Sequence, residues 1–411
     1  MATRLGTATV DITPLKPVEL SGFAGRSGPF MSVRAPLEAQ VLAFDSVVLV
    51  CADLLWWGPD LYETVIARIE QRYDVPRQNL VLHASHTHCG PQPGATFSPL
   101  VGDFDTDYLA YLADVVVDTV GTALANREPV KIQRGKGECH FGMNRRLLHP
   151  DGGVGGPNPD GPRDTEVNVL RFVKEDGEAK AVLVHYTCHP VVSNENKVGP
   201  DFPGAMRSLL QPEVGDAVIG FLQGCCGDQD PAFDGEFRRG GDEEIADLGR
   251  QLAFGARQAL GDLVDVGEGE VSVRTTLTDL PLDAPTIADL QAHKDDEGIW
   301  GDWSRRLLAD PTRVVSQLPI RLTLLTLADG LVLLGFDAEV TVSYGHQVKA
   351  LGAIPLPYTN GMIGYIVTAE ELAQGGYEPD NSYLWILRSG RWRPEVEPTL
   401  RKAIDDILRK S

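Results

Sequence analysis

The stretch Asn79-Leu80-Val81-Leu82-His83-Ala84, running straight into Ser85-His86-Thr87-His88-Cys89-Gly90-Pro91, decides the fold class. Asn79 to Ala84 is a short apolar strand, and a polar, histidine-rich turn stops it. Just upstream, Asp60 to Tyr73 carries Leu61, Val65, Ile66 and Ile69 at helical spacing. Before that, Glu38 to Leu54 reads as two strands joined at Asp45-Ser46, and Tyr108 to Leu124 follows as a second helix. Strands and helices therefore alternate, which is the pattern of an α/β protein.

The alternation continues to the end of the chain. Glu166 to Thr187 reads as a long hairpin turning at Glu175-Asp176-Gly177, and Ile320 to Phe336 as another turning at Ala328-Asp329-Gly330. Ala217 to Gln223 is a buried strand leading into Gly224-Cys225-Cys226-Gly227-Asp228. Glu243 to Leu260 is helical, and Pro398 to Arg409 closes the chain as a helix with proline in its first turn. Hairpins beside crossovers imply mixed β-sheets flanked by helices. No internal repeat and no linker is visible, so a single domain over residues 1–411 is expected. Two Gly/Pro-rich stretches, Gly90 to Gly102 and His149 to Arg163, are long enough to serve a site.

Composition excludes some classes. Against 37 Lys and Arg stand 58 Asp and Glu, a net charge of −21. Nucleic acids and anionic membrane surfaces call for the opposite sign, so neither is an expected partner. No run of about 18 apolar residues suggests a membrane span. The opening Met1-Ala2-Thr3-Arg4-Leu5-Gly6 lacks an apolar signal core, so a cytoplasmic location is expected. The six cysteines include no CxxC pair and read as buried free thiols, with a thiolate ligand or nucleophile as the alternative.

Histidines mark the chemistry. His86 and His88 stand two apart at a strand end, so both reach one metal only if the chain turns there; otherwise one ligates and the other serves elsewhere. His185 and His189 share a strand face, with Pro190 ending the strand and exposing His189 at its tip, while His185 reads as a core histidine. A third strand end offers Asp337 and Glu339, acids that are costly there unless paired or bound to a metal. Three such strand ends converging on one pocket would supply a catalytic zinc site.

An ordered set of segments carries a family resemblance. It begins with Gly6-Thr7-Ala8-Thr9-Val10-Asp11-Ile12-Thr13-Pro14 and Gly22-Phe23-Ala24, then Cys51-Ala52-Asp53-Leu54 and Ser85 to Pro91. Gly142-Met143-Asn144-Arg145, His189-Pro190, Asp201-Phe202-Pro203-Gly204 and Gly227-Asp228-Gln229-Asp230-Pro231 follow. Ala338-Glu339, Gly364-Tyr365 and Tyr377-Glu378 complete it. With these the chain resembles the catalytic domain of the neutral/alkaline ceramidases. The resemblance implies their α/β fold and a zinc ion held by His86, His189, Glu339 and Tyr365. It implies that Tyr377 contacts the reacting carbonyl, that His88 carries a proton or supports a ligand, that Arg145 positions the substrate, and that Asp53 orients a ligating histidine; buried ion pairs are the alternative for Asp53 and Arg145, and packing with a hydrogen-bonded hydroxyl the alternative for Tyr365 and Tyr377. The implied activity is zinc-dependent amide hydrolysis of a soluble N-acyl compound, with His88 or Asp230 passing the proton to the leaving amine.

Three departures qualify the match. Asp230 stands where ceramidases carry serine, Cys89 stands where they usually have serine, and no counterpart of their C-terminal β-sandwich-like domain is expected. These weaken ceramide as substrate and leave the implied metal set intact. An esterase or lactonase on the same zinc site, or a catalytically silent ligand-binding relative, are the alternatives. Asp228 and Asp230 either hold a second cation or cap turns. Trp56, Trp57, Trp300 and Trp303 read as core or interface residues, or as the lining of an acyl pocket. A small molecule is the expected partner, and a homo-oligomer is compatible with the sequence.

Overall fold

The computed structural model describes residues 3–409. Three five-stranded sheets dominate it, and all three share one pairing order. In the first, Arg4–Asp11 lies antiparallel to Glu38–Ala43, which lies antiparallel to Val48–Ala52. The helix Pro59–Tyr73 then crosses over to Leu80–Ala84, parallel to Val48–Ala52, as a parallel pairing requires. The helix Thr106–Ala125 comes next, and Glu128–Pro129 adds a short edge to the first strand.

The second sheet repeats this course. Lys131–Glu138, Glu166–Val173 and Ala179–Tyr186 are antiparallel neighbours, the helix Asp201–Val214 crosses over to the parallel strand Val218–Gln223, and the helix Asp242–Gly261 leads to the edge Val264–Asp265. The third does so again with Ser272–Asp283, Gln317–Ala328, Leu331–Phe336, the helix Val342–Ala350 and Ile354–Leu356. There the edge strand Arg391–Trp392 precedes the closing helix Val396–Arg409 instead of following it. The expectation of no internal repeat is thus corrected. The structure repeats three times, over 4–129, 131–265 and 272–409, without a repeat visible in the residues.

Burial explains the arrangement. Leu42, Leu49 and Val81 of the first sheet, Leu170, Leu183 and Leu222 of the second, and Leu325, Leu333 and Ile354 of the third share one central core. Their strand neighbours point the other way. Val48, Val50 and Leu82, for example, pack against Val65, Ile69, Leu112 and Val116 of the two covering helices. The second and third sheets build equivalent outer layers. Strands buried on both faces read as continuous apolar runs, as in Val48-Leu49-Val50-Cys51-Ala52. Each buried aliphatic side chain contributes about 1.5–3 kcal/mol, so three inner faces and three outer layers hold the strand ends firmly.

The same close approach occurs in two repeats. A Cβ on Gly6 would sit 1.8 Å from the Ala123 carbonyl oxygen, and one on Gly135 would sit 1.9 Å from that of Ala259. At both places the first strand of the repeat lies directly on the helix that covers it. The two expected hairpin turns are present, with Gly177 at φ 87° and Gly330 at φ 77°. The helix Thr106–Ala125 is long and apolar enough to cross a membrane by length and composition. In this fold it is a covering helix: Leu112, Val116 and Val120 enter the core, while Asp114 and Asp118 pair with Arg68 and Arg72.

Candidate metal centre

The carboxyl end of one strand in each repeat leads to one residue of the centre. His86 follows Leu80–Ala84, His189 follows Ala179–Tyr186, and Glu339 follows Leu331–Phe336. His86 adopts φ 67°, a left-handed conformation that is uncommon outside glycine. That turn brings the His88 ring against His86, with centroids 4.8 Å apart. The ligating atoms of His86, His88 and His189 all lie within 4.8 Å of one another. Glu339 Oε1 lies 3.4 Å from His86 Nε2 and 2.7 Å from His189 Nε2.

The protons on these rings follow from their partners. His86 Nδ1 meets the Leu55 carbonyl at 2.8 Å, His88 Nδ1 the Gly22 carbonyl at 3.1 Å, and His189 Nδ1 the Gln229 carbonyl at 3.1 Å. A carbonyl only accepts, so each Nδ1 donates and each neutral ring turns an Nε2 lone pair inward. Burial pushes the imidazoles of His86 and His88 below their ordinary pKa, His88 far below, which keeps them neutral. His86 Nε2 and His88 Nε2 therefore face each other at 3.3 Å with no proton between them. His189 Nε2 and Glu339 Oε1 are both buried without a hydrogen-bond partner, despite their 2.7 Å separation. Lone pairs and a carboxylate crowded in this way repel unless a cation lies among them. The nitrogen and oxygen donors, each ring fixed from behind by a carbonyl, fit a divalent ion such as zinc.

Aromatic side chains wall the centre. Tyr358 stacks on His86 with centroids 4.1 Å apart and 21° between planes, and its hydroxyl meets Cys226 Sγ at 3.0 Å. Trp56 packs against His86 and Phe97 at 6.2 and 4.8 Å, and Phe23 against His88 at 5.1 Å. Trp56, read from sequence as core or as pocket lining, lies beside the centre; Tyr358 and Phe23 were assigned no role there, and only the neighbouring Asn360-Gly361 turn signal points toward Tyr358. The other tryptophans lie elsewhere: Trp57 and Trp303 are buried, and Trp300 is partly exposed.

Tyr365 is the register partner of Glu339 in a short parallel pair, and its hydroxyl accepts from Arg145 Nη2 at 3.1 Å. Burial and the Glu339 carboxylate push the Tyr365 phenol well above its ordinary pKa. The Arg145 guanidinium also donates to Glu378 at 2.8 Å and to Asp230 at 3.1 Å. Tyr377 packs edge-on to Tyr365 at 5.7 Å and is 45% exposed. Next to it, a Cβ on Gly376 would lie 3.1 Å from Val154 Cβ, which places the His149 to Arg163 loop over this side.

Several expectations are corrected. Asp53 orients no histidine: its carboxylate pairs with both terminal nitrogens of Arg207 and accepts from the Glu38 amide. Asp230 is not free to carry a proton, because Arg145 and Arg239 occupy its two oxygens and hold it well below the usual carboxylate range against the effect of burial. It flanks the Nδ1 side of His189 at 3.4 Å. Pro190 does not expose His189, which is fully buried beyond a strand that already ends at Tyr186. Asp228 accepts from Asn144 Nδ2 at 2.7 Å and from the Val342 amide at 2.8 Å, a structural use of its carboxylate. His185 is a core histidine whose Nε2 meets the Pro355 carbonyl at 3.0 Å. All six cysteines are free and buried, and burial pushes Cys89 up to about 11 and Cys51 up to about 12, which disfavours thiolate chemistry.

No family model matches the chain. Among solved structures it is similar to the neutral ceramidase from Pseudomonas aeruginosa, with a TM-score of 0.76 and 20% identity over 99% of this chain and 74% of that one. It is also similar to a ceramidase complexed with C2, with a TM-score of 0.74 and 20% identity over 99% of this chain and 75% of that one. The α/β architecture described above is therefore the ceramidase fold.

Proposed function

We propose that this chain is a zinc-dependent hydrolase that cleaves the amide bond of an N-acyl small molecule. The observation that supports it is the crowding of three imidazoles and a carboxylate around one buried point. The ceramidase fold supports an amide over an ester as the scissile bond.

His86, His189 and Glu339 hold the ion in this reading, with Tyr365 completing the set. Zinc supplies Lewis acidity toward a carbonyl and lowers the pKa of a bound water to about 7. Arg145, braced by Glu378 and Asp230, fixes the Tyr365 hydroxyl. Tyr377 beside Tyr365 donates to the carbonyl oxygen as negative charge develops on it. His88, whose Nε2 turns inward, takes the proton of the attacking water and passes it to the leaving amine, while both oxygens of Asp230 are engaged by guanidiniums. The 3.3 Å approach of His88 to His86 favours a second reading, in which His88 is itself a ligand. His88→Gln keeps stoichiometric zinc in the first reading and loses it in the second.

The test is a panel of N-acyl amides with matched esters and lactones, assayed with and without chelator. Amide turnover that disappears on chelation and returns with zinc is the expected result. Turnover of esters or lactones alone would shift the reading to the rival chemistry, and no turnover by zinc-loaded protein would end it.

A further inference from the structure

In the third repeat the connection 284–316 carries two helices, Ile287–His293 and Ile299–Ala309. Trp303 and Leu307 of the second helix pack against Tyr383, Leu384 and Leu387. Beside this layer lies a cleft of about 450 Å³ lined by Phe97, Met362, Ile363, Leu387, Arg313 and Arg388, among others. That volume falls within the roughly 300–1,000 Å³ usual for small-molecule sites.

The two arginines are unusual in a chain with 58 acids against 37 bases. Arg388 is 5% exposed, and it donates to the carbonyls of Gly390, Ile363 and Tyr365. Its Nη2 is buried without a partner. Its guanidinium carbon lies 4.2 Å from the Trp392 ring centroid and 5.7 Å from that of Tyr383. Arg313 donates to the carbonyls of Thr96 and Leu387 at 3.4 and 3.2 Å. Asp310 also lines the cleft, but it is exposed and its side chain accepts from Thr312. Burial lowers the pKa of both guanidiniums, offset in part by the Asp310 charge at Arg313 and by Tyr383 at Arg388, and a bound anion would offset the rest. The cleft is one layer of side chains from the metal centre: Phe97 touches Trp56, Trp56 lies against His86, and Arg388 bonds the Tyr365 carbonyl.

We propose that this cleft is a carboxylate-recognition subsite, in which an apolar stem lies against Phe97, Met362 and Ile363 and its terminal carboxylate pairs with Arg388 and Arg313. That the carboxylate belongs to the hydrolysed substrate rests on the hydrolase reading above; that the cleft binds a carboxylate does not. Arg388 and Arg313 then select acyl groups that end in a carboxylate over uncharged acyl groups of the same length.

Two measurements on the full chain test this. The first compares binding of hexanoate and hexanamide by calorimetry, in wild type, Arg388→Gln and Arg313→Gln, with thermal melting as the control for folding. Wild type should prefer hexanoate by about tenfold or more, as a charge-assisted hydrogen bond allows. Arg388→Gln should abolish the preference and Arg313→Gln should reduce it; if the first variant does not fold, the second decides. Equal binding of the two probes by wild type, or a preference that a folded variant retains in full, overturns the subsite. The second measurement compares kcat/KM for N-glutaryl and N-pentanoyl anilides. A preference for the glutaryl compound that falls in the same variants identifies the occupant as substrate. Turnover of both without preference overturns the substrate assignment and leaves the hydrolase reading standing. Turnover of neither counts against the hydrolase reading, and the binding comparison still decides the cleft.

Discussion

Replacing Asp53 with alanine separates two roles that a strand-end carboxylate near a metal centre can have. Asp53 is 1% exposed, and its oxygens accept from Arg207 Nη1 at 3.0 Å, from Arg207 Nη2, and from the Glu38 amide at 3.0 Å. Arg207 is itself 6% exposed, and the remaining carboxylate near it is Glu38, 3.5 Å from its Nε. Asp53→Ala therefore leaves a buried guanidinium poorly compensated, which costs about 3–5 kcal/mol. With an unfolding entropy of roughly 2.1 cal/mol/K per residue over this chain, about 0.86 kcal/mol/K in total, Tm falls by about 4–6 °C. Zinc content should not change, because His86 is anchored by the Leu55 carbonyl and not by Asp53. The double variant Asp53→Leu/Arg207→Met removes both charges and should recover most of the loss. Scanning calorimetry and elemental analysis on the three proteins read both quantities. An unshifted Tm with zinc affinity lowered about 10–100-fold, the usual effect of losing a partner behind a ligand, would refute this reasoning.

Lys349→Met tests an acid-side contribution to stability. Burial alone would raise Glu166, but the Lys349 charge, together with hydrogen bonds from Lys136 and Asn168, brings it down to about 2 from an ordinary 4.5. A depressed carboxylate stabilises above its unfolded value and loses that contribution as pH falls through the folded one. The gap between wild type and variant, about 1 kcal/mol at neutral pH from the Glu166 pair with a further contribution from Asp164, which Lys349 meets at 2.6 Å, should therefore shrink between pH 4.5 and about 2 in urea titrations. A gap that widens on acidification would contradict the pairing. Tyr377→Phe should lower kcat by about 10²–10³ if its hydroxyl meets the developing oxyanion, with zinc content and melting unchanged because the side chain is 45% exposed. Unaltered kcat would remove Tyr377 from the chemistry.

Much of the secondary structure was legible because its signals are local. Leu61, Val65, Ile66 and Ile69 bury one face of the helix Pro59–Tyr73, as their spacing indicates. Gly177 and Gly330 sit in the expected turns with positive φ. The threefold repetition was not legible, because what recurs is a pairing order and a parallel crossover, which an apolar run does not record. The connections 12–37, 139–165 and 284–316 also differ between repeats, and the helices inserted in the third were not anticipated.

At the centre, three strand ends were identifiable as carriers of His86, His189 and Glu339, since each follows an apolar run. Whether His86 and His88 reach one point depended on a left-handed turn at His86, and histidine at that position carries no backbone signal. The ordered motifs marked Asp53 and Asp230 but not their partners. Arg207 lies 154 residues from Asp53 and Arg145 lies 85 residues from Asp230, distances over which sequence spacing has no reach.

Elemental analysis of zinc-loaded, exhaustively dialysed protein tests the metal centre most directly. Wild type should retain zinc at one ion per chain, and His189→Ala and Glu339→Gln should each lose it while keeping a folded far-ultraviolet spectrum. Wild type without stoichiometric zinc, or both variants retaining it in full, would mean that the inward-facing imidazoles and carboxylate do not form a metal site.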